Sequence, residues 1–379
     1  MKKLTCSLVS FVFAILVSSC GGGGTNNAAT DPSTTDPTVD PTNTTPTTVT
    51  SVYVAGSYVD WGNNIAAVWK NGVKTNLTDS SISTNAEAKS VYVSGGNVYA
   101  AGWYADGLGN NIAAVWKDGV KTDLTDSSIS TNAFATSVYV SEGHVYVAGR
   151  YVDSVGNSIA TVWRDAVKVD LSVVGGTTLA YANSIYVSNG TVYVVGHYLA
   201  SSGYFVATVW TTNGITTTNT DLADDGVGSY AYAIYVSDDS SVYVAGSYYD
   251  VSGNNIAAVW ENGVKTDLTD GTMSVDASAN SIYVSDGHVY VAGSFWDVSY
   301  SYNTAAVWKD GIKDDGFITI PSASISSAAN SIYVHDSNVY VTGNYNVLTN
   351  VAAVWKDGVK TTLSAAGTIV PNSIFVVTE

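Results

Sequence analysis

The chain has 379 residues, 46% hydrophobic and only 12% charged, with a formal net charge of −17 at pH 7. Acidic residues number 32 against 15 basic ones, which argues against a nucleic-acid partner, because phosphate binding depends on Lys and Arg, and disfavours anionic lipid surfaces. Both cysteines, Cys6 and Cys20, fall within the first 20 residues, so the rest of the chain is built without disulfides.

Met1-Lys2-Lys3 precedes an apolar stretch from Leu4 to Val17 and then Ser18-Ser19-Cys20. A basic start, a short apolar run and small residues before a cut site describe a secretory signal over 1–19. A membrane span needs about 20 apolar residues, and this run is shorter and interrupted by Thr5, Cys6, Ser7 and Ser10. Val17-Ser18-Ser19-Cys20 resembles the bacterial lipobox, which implies cleavage before Cys20 and lipidation of that cysteine. A plain secretory signal is the alternative. By the sorting pattern of such lipoproteins, the absence of Asp at position 21 implies the outer membrane. Residues 21–50 are rich in Gly, Thr, Pro, Asp and Asn and almost free of large apolar side chains, so residues 20–50 read as a lipidated, disordered stalk. About 30 such residues reach roughly 30 Å.

From residue 51 the chain repeats. Val-Tyr-Val-Ala-Gly or a near copy ends at Gly56, Gly102, Gly149, Gly196, Gly246, Gly293 and Gly343. Ala-Val-Trp or a near copy ends at Trp69, Trp116, Trp163, Trp210, Trp260, Trp308 and Trp355, successive tryptophans lying 47 to 50 residues apart. Ser-Ile-Tyr-Val or a near copy recurs seven times, the last as Ser373-Ile374-Phe375-Val376. Val, Tyr and Ile suit pleated strands, and Asp-Gly or Asn-Gly pairs supply hairpins. Asp165-Ala166 breaks that turn rule. Each unit thus predicts four short antiparallel strands, a propeller blade. The first repeat, from Val52, lacks a first strand, and Asn372–Val376 is left over at the end. An open solenoid has no use for that strand, whereas a ring closes with it. The prediction is all-β: residues 51–379 form a seven-bladed β-propeller of four-stranded blades, with blade one completed by the C-terminal strand. The repeated tryptophans are assigned to the core between blades.

The order of elements, with Gly287-His288-Val289-Tyr290-Val291-Ala292-Gly293 as a second strand, resembles the bacterial β-propeller repeat families of the NHL and SBBP type. That resemblance covers 51–379 and implies that the Ser-Ile-Tyr-Val strands line the central channel. It also implies a binding or scaffold module.

Chemistry is sparse in the pattern. The four histidines, His144, His197, His288 and His335, are scattered and read as solvated, and no serine elbow or phosphate loop occurs. Asp60, Asp106, Asp153, Asp250 and Asp297 open the loops between second and third strands. They either offer calcium a ring of hard oxygens or bond their own loop backbone. No other cofactor is expected. Trp61, Trp103, Tyr104, Phe205, Tyr249, Trp296 and Tyr300 fall in or beside the same loops, and Phe134, Tyr181 and Tyr232 stand near the channel mouth. Such rings either contact a protein or glycan or fold back onto the rim. Lys89, Thr136, Asn183, Tyr232, Asn280, Asn330 and Asn372 ring the mouth by register, with no carboxylate or histidine and so little acid–base capacity. The expectation is a monomeric, lipid-anchored, non-enzymatic propeller that recognises a protein or glycan through its long-loop face. The alternatives are a lyase or hydrolase at the channel mouth, or a purely structural surface component.

Overall fold

Each complete blade begins with small buried residues alternating with larger half-buried ones, as in Ala133-Phe134-Ala135, the pattern of a strand packed between two neighbours. The computed structural model describes residues 48–379 except 80–84, 126–131, 172–177, 215, 223–226, 272–273, 321–325 and 364–367. The expected signal, Cys20 and the stalk up to residue 47 lie outside the described residues. The described residues form 28 strands in seven four-stranded sheets, antiparallel throughout. Innermost strands of successive blades touch one another around a complete circuit, which encloses the channel. This is the seven-bladed propeller expected from the repeat.

Blade one takes its innermost strand, Ile369–Thr378, from the far end of the chain. It pairs with Thr50–Asp60 from Thr50↔Thr378 to Tyr58↔Ile369. Beyond it, the Glu379 carboxylate accepts bonds from Lys70 Nζ at 2.6 Å, Ser51 Oγ at 3.1 Å and the Tyr53 hydroxyl.

The motif glycine has a steric cause. In every blade the register shifts opposite this glycine, as between Ala88 and Ser90, leaving one residue of the inner strand bulged. The carbonyl before the bulge is thereby driven against the glycine, and a Cβ on Gly102 would lie 1.9 Å from Glu87 O. Bulged side chains then tie blade to blade. Thr136 Oγ1 donates to Ala182 O at 2.8 Å, and Asn183 Nδ2 to Ala231 O at 2.7 Å. Asn280 Nδ2 donates to Ala329 O at 3.0 Å, Asn330 Nδ2 to Pro371 O at 2.6 Å, and Asn372 Nδ2 to Ala88 O at 2.8 Å. Serines add a second set of ties, Ser90 Oγ accepting from Val138 N and Ser373 Oγ from Val91 N. The seven tryptophans are fully or almost fully buried, and Ala66, Ala113 and Ala257 are at 0% exposure.

Tight hairpins use two residues of positive φ, as in Asp118 (50°) and Gly119 (80°). Asp165-Ala166 adopts the same form, with Ala166 at φ 66°. A Cβ in that region costs roughly 1–2 kcal/mol. Ala166→Gly should therefore stabilise the propeller by about 1 kcal/mol. A melting midpoint that fell in that variant would mean the turn is not strained.

Candidate active site at the channel mouth

Just past the motif glycine, second and first strands present one cross-strand pair per blade at the same level. In blades six, seven and one these pairs are Ser294–Ser278, Asn344–Ala328 and Ser57–Val370. In blades two to five they are Trp103–Glu87, Arg150–Phe134, His197–Tyr181 and Ser247–Tyr230. Small side chains thus occupy one side of the mouth, while large or ionisable ones occupy four adjacent blades.

Those larger side chains touch in sequence and form an arc. Trp103 meets Phe134 edge to face at 5.5 Å between centroids. The Arg150 guanidinium lies 4.7 Å from the Phe134 ring and 4.6 Å from that of Tyr181. Tyr181 stacks on His197 at 4.9 Å, and His197 meets Phe205 at 5.2 Å and Tyr230 at 4.9 Å. Tyr230 continues to Tyr232 and Tyr249, each at 6.3 Å. At the blade-two end, Glu87 Oε1 accepts from Lys89 Nζ at 2.7 Å and from Asn372 Nδ2 at 2.9 Å.

The electrostatics of the arc are unusual for so acidic a chain. Arg150 has no carboxylate within ion-pair distance among the described residues. Burial lowers its pKa from the ordinary guanidinium value, a starting point high enough to keep the charge. Burial, reinforced by the Arg150 charge, pushes His197 down to about 4, so its imidazole is neutral at pH 7. Asn183 Nδ2 lies 3.3 Å from His197 Nδ1, and in this assignment the ring carries its proton on Nε2. Burial also raises the Tyr230 and Tyr232 hydroxyls, which stay protonated.

Nearer the tight-turn face, Tyr92, Tyr139, Tyr186, Tyr235, Tyr283, Tyr333 and Phe375 form a closed collar, with neighbouring centroids 4.6–5.3 Å apart. Burial raises the pKa of its six phenols, that of Tyr283 to about 12.

The structure brings Trp103, Phe134, Tyr181, Phe205, Tyr232 and Tyr249 together, and leaves other sequence candidates apart. Trp61 is 97% exposed at a turn tip of blade one, and Trp296 and Tyr300 stand in blade six, Tyr300 stacked on Tyr302. Tyr104 is a rim residue. Its hydroxyl donates to Asp123 and Lys121 lies over its ring, an arrangement repeated by Tyr58, Tyr151 and Tyr248 with their own fourth strands.

Most of the loop aspartates bond their own loops, one of the two roles expected of them. Asp106 Oδ1 accepts from the backbone of Leu108 and Asn110, and Oδ2 from the Asn110 side chain. Asp153 and Asp250 do the same in their own loops. Asp297 accepts from Ser299 N, while Asp60 closes the two-residue turn of blade one against Asn63. Backbone bonds hold the first three carboxyls below the ordinary carboxylate range. Among the described residues no three His, Cys, Asp or Glu side chains converge as a metal site.

Arg150 is not among the sequence candidates, and His197, expected to be solvated, is half-buried in the arc. The available signal was a position that varies inside a repeated motif: Ser57, Trp103, Arg150, His197, Ser247, Ser294 and Asn344 all follow the motif glycine.

The fold defines the chain as a seven-bladed β-propeller protein. No family model and no curated protein matches it. Among solved structures, the β-propeller domain of the trilobed protease from Pyrococcus furiosus, described as having an open velcro topology, is 12% identical with a TM-score of 0.49. That match covers 83% of this chain and 94% of the other. A thermostable family-43 glycoside hydrolase is 13% identical with a TM-score of 0.37, over 61% of this chain and 92% of its own. The GH43_1 enzyme from Xanthomonas citri complexed with xylose is 13% identical with a TM-score of 0.34, over 66% and 92%. These likenesses show the propeller fold alone. The solved structures similar to this chain include glycoside hydrolases, which runs against the expectation of a non-enzymatic binding or scaffold module. The expectation of little acid–base capacity at the mouth is corrected by the structure. A histidine, an arginine and a carboxylate stand where the register of bulged residues alone offered little acid–base capacity.

Proposed function

We propose that the channel mouth is the active site of an enzyme that cleaves an acidic polysaccharide. One observation carries this reading: chemistry-bearing side chains depart from the repeat in adjacent blades two to five, at a single level of the mouth. Architecture shared by all blades asks for the same residue in each, so departures gathered in one sector answer another demand. The Arg150 cation, which donates to Ser158 Oγ at 3.4 Å and has no ion-pair partner among the described residues, and its flanking aromatic rings suit a negatively charged sugar.

Of lyase and hydrolase chemistry, elimination fits the residues better. Glycoside hydrolysis ordinarily uses two carboxyl groups, roughly 5–10 Å apart, and Glu87 is the one carboxylate of the arc, already held by Lys89 and Asn372. Elimination passes the proton beside the uronate carboxylate to a base, the role left for the Glu87 carboxylate, and the electrons of that C–H bond form a ring double bond. The glycosidic C–O bond breaks, and the departing oxygen takes up a proton. Charge grows on the carboxylate as the proton leaves. Arg150 and the Nε2–H of neutral His197 are donors suited to that charge, and the protonated Tyr230 phenol suits the departing oxygen.

The test is to incubate the protein with polyuronates and with neutral glycans, following ultraviolet absorbance of unsaturated ends beside total reducing ends. Unsaturated ends from a polyuronate are expected. Reducing ends without unsaturation would transfer the reading to a hydrolase, and an inert protein on every acidic polymer would remove it.

We also propose that 1–19 is a signal, that Cys20 is lipidated and that 20–50 tethers the propeller at an outer membrane; the kinship with NHL and SBBP repeats is likewise a proposal, resting on strands such as Gly287–Gly293. Cys20→Ala should move the protein from the membrane to the soluble fraction. Fractionation with membranes unchanged in that variant would exclude the lipid anchor.

A further inference from the structure

The asparagine amides that tie blade to blade carry two protons on one nitrogen, and a tie uses one of them. Asn183 Nδ2 donates to Ala231 O at 2.7 Å, and the same tie recurs at Asn280, Asn330 and Asn372. A backbone carbonyl only accepts, so the tie fixes which end of each amide faces the next blade. In two blades the second proton meets a mouth side chain. Asn372 Nδ2 also reaches Glu87 Oε1 at 2.9 Å, and Asn183 Nδ2 lies 3.3 Å from His197 Nδ1.

An imidazole nitrogen that faces an N–H donor is the one without a proton. With a proton on Nδ1, two donors would oppose each other between half-buried side chains. Rotating the amide offers no escape, because its oxygen would then face Ala231 O. Turning the ring over would set a C–H against the amide in place of an acceptor. The carbonyl of blade five thus fixes the Asn183 amide, and the amide fixes the ring. Other histidines of the chain have the opposite surroundings. His144 Nδ1 lies 2.6 Å from an Asp165 oxygen and His288 Nδ1 2.7 Å from one of Asp310, so carboxylates hold the proton on Nδ1 there. The ionisable groups set against His197 are instead Arg150, Tyr181 and Tyr230, none of which replaces a carboxylate at Nδ1.

Threonine makes the tie differently. In blade three Thr136 Oγ1 donates to Ala182 O at 2.8 Å. A hydroxyl has a single proton, so threonine serves the neighbouring blade and leaves no donor for the mouth.

We propose that Asn183 is a positioning residue of the mouth, whose second amide proton holds His197 in the single tautomer that presents Nε2–H. The role of that N–H in cleavage rests on the activity proposed above, whereas the tautomer is a property of the folded chain. In the other tautomer a lone pair would stand where charge growing on a uronate carboxylate needs a donor.

The test is nitrogen NMR of the histidine rings in wild type, Asn183→Thr and Asn372→Thr. Threonine keeps the form of tie made by Thr136, so both variants should fold, and Asn372→Thr disturbs an equivalent tie at the blade-two end of the arc. At pH 7 wild-type His197 should carry its proton on Nε2 alone, in contrast to His144 and His288. In Asn183→Thr the proton should be shared between both nitrogens. The titration midpoint of the ring should also rise by about half a pH unit or more, because a donor favouring the neutral form is lost. Asn372→Thr should leave both signals of His197 unchanged. Wild-type His197 protonated on Nδ1 would overturn the proposal whether or not the variants fold. So would a His197 signal that Asn183→Thr leaves alone, or that Asn372→Thr shifts equally. On a polysaccharide cleaved by wild type, Asn183→Thr should lower kcat about tenfold or more with KM little changed. Full activity there would overturn the positioning role. A wild type inert on every polysaccharide would remove the proposed activity and leave the ring signals to decide the tautomer.

Discussion

A chain ending at Pro371 should lose its ring. Deleting residues 372–379 removes most of the innermost strand of blade one and the partners of Thr50 to Ala55. Ile374 and Val376, at 4% and 1% exposure, go from the core cluster shared with Val54, Trp69 and Tyr340. Each such side chain contributes about 1.5–3 kcal/mol by burial. The same cut removes the Asn372 tie to Ala88 and the Ser373 tie to Val91, both of which join blade one to blade two. It also bares the edge of Thr50–Asp60, a template for pairing with other chains. A total loss of 5 kcal/mol or more is comparable to the whole stability of many domains. The expected result is aggregation or a melting midpoint many degrees lower. Ile374→Ala, which keeps the strand, should cost about 2–5 kcal/mol. A truncated protein that melts with the full chain would show that closure contributes nothing.

On the activity proposed above, replacing Arg150 should lower the rate of polysaccharide cleavage by about a hundredfold or more, the usual cost of removing one preorganised charge-stabilising donor. Arg150→Lys should not restore it, because a compact ammonium does not reproduce a planar cation held between the Phe134 and Tyr181 rings. His197→Phe preserves an aromatic ring between Tyr181 and Tyr230 but removes the N–H donor, and should lower the rate comparably. Full activity in either variant would remove the mouth from the mechanism.

His197 also makes a pH prediction. Its folded pKa, about 4, lies below the ordinary value of 6.5, so the unfolded chain binds the proton more readily between those limits. Stability should therefore be complete above pH 6.5 and fall as pH drops to about 4, with a maximum loss on the order of 3 kcal/mol. His197→Phe should remove that component of the acid sensitivity. Activity that depends on neutral His197 should persist well below pH 6.5, so an acidic limb centred near 6.5 would assign the titration to another group.

The blade count, the four strands per blade and the closing strand were legible because each repeat carries the same local signals: Val-Tyr-Val alternation, Asn-Gly or Asp-Gly turns and a tryptophan at fixed spacing. The leftover Asn372–Val376 segment disclosed closure, since a sheet edge requires a partner and only one strand lacked one. Even the strain at Ala166 followed from its place in a two-residue hairpin. These features depend on short-range pattern and on counting.

The mouth depended on something else. Arg150 and His197 lie 47 residues apart and carry no mutual sequence signal. Tyr181 contacts both, because one blade must sit beside the next. The asparagines placed at the mouth by register donate to carbonyls of the following blade, an outcome set by the bulge that aims them there. The loop aspartates turned inward on their own backbones, while Tyr104 joined a rim pattern shared by other blades. Local sequence therefore determined the blades and their closure through strand periodicity and turn chemistry. Tertiary structure alone decided which departures from the repeat meet, because stacking brings distant side chains to one level of the channel, where Arg150 has no carboxylate within ion-pair distance among the described residues.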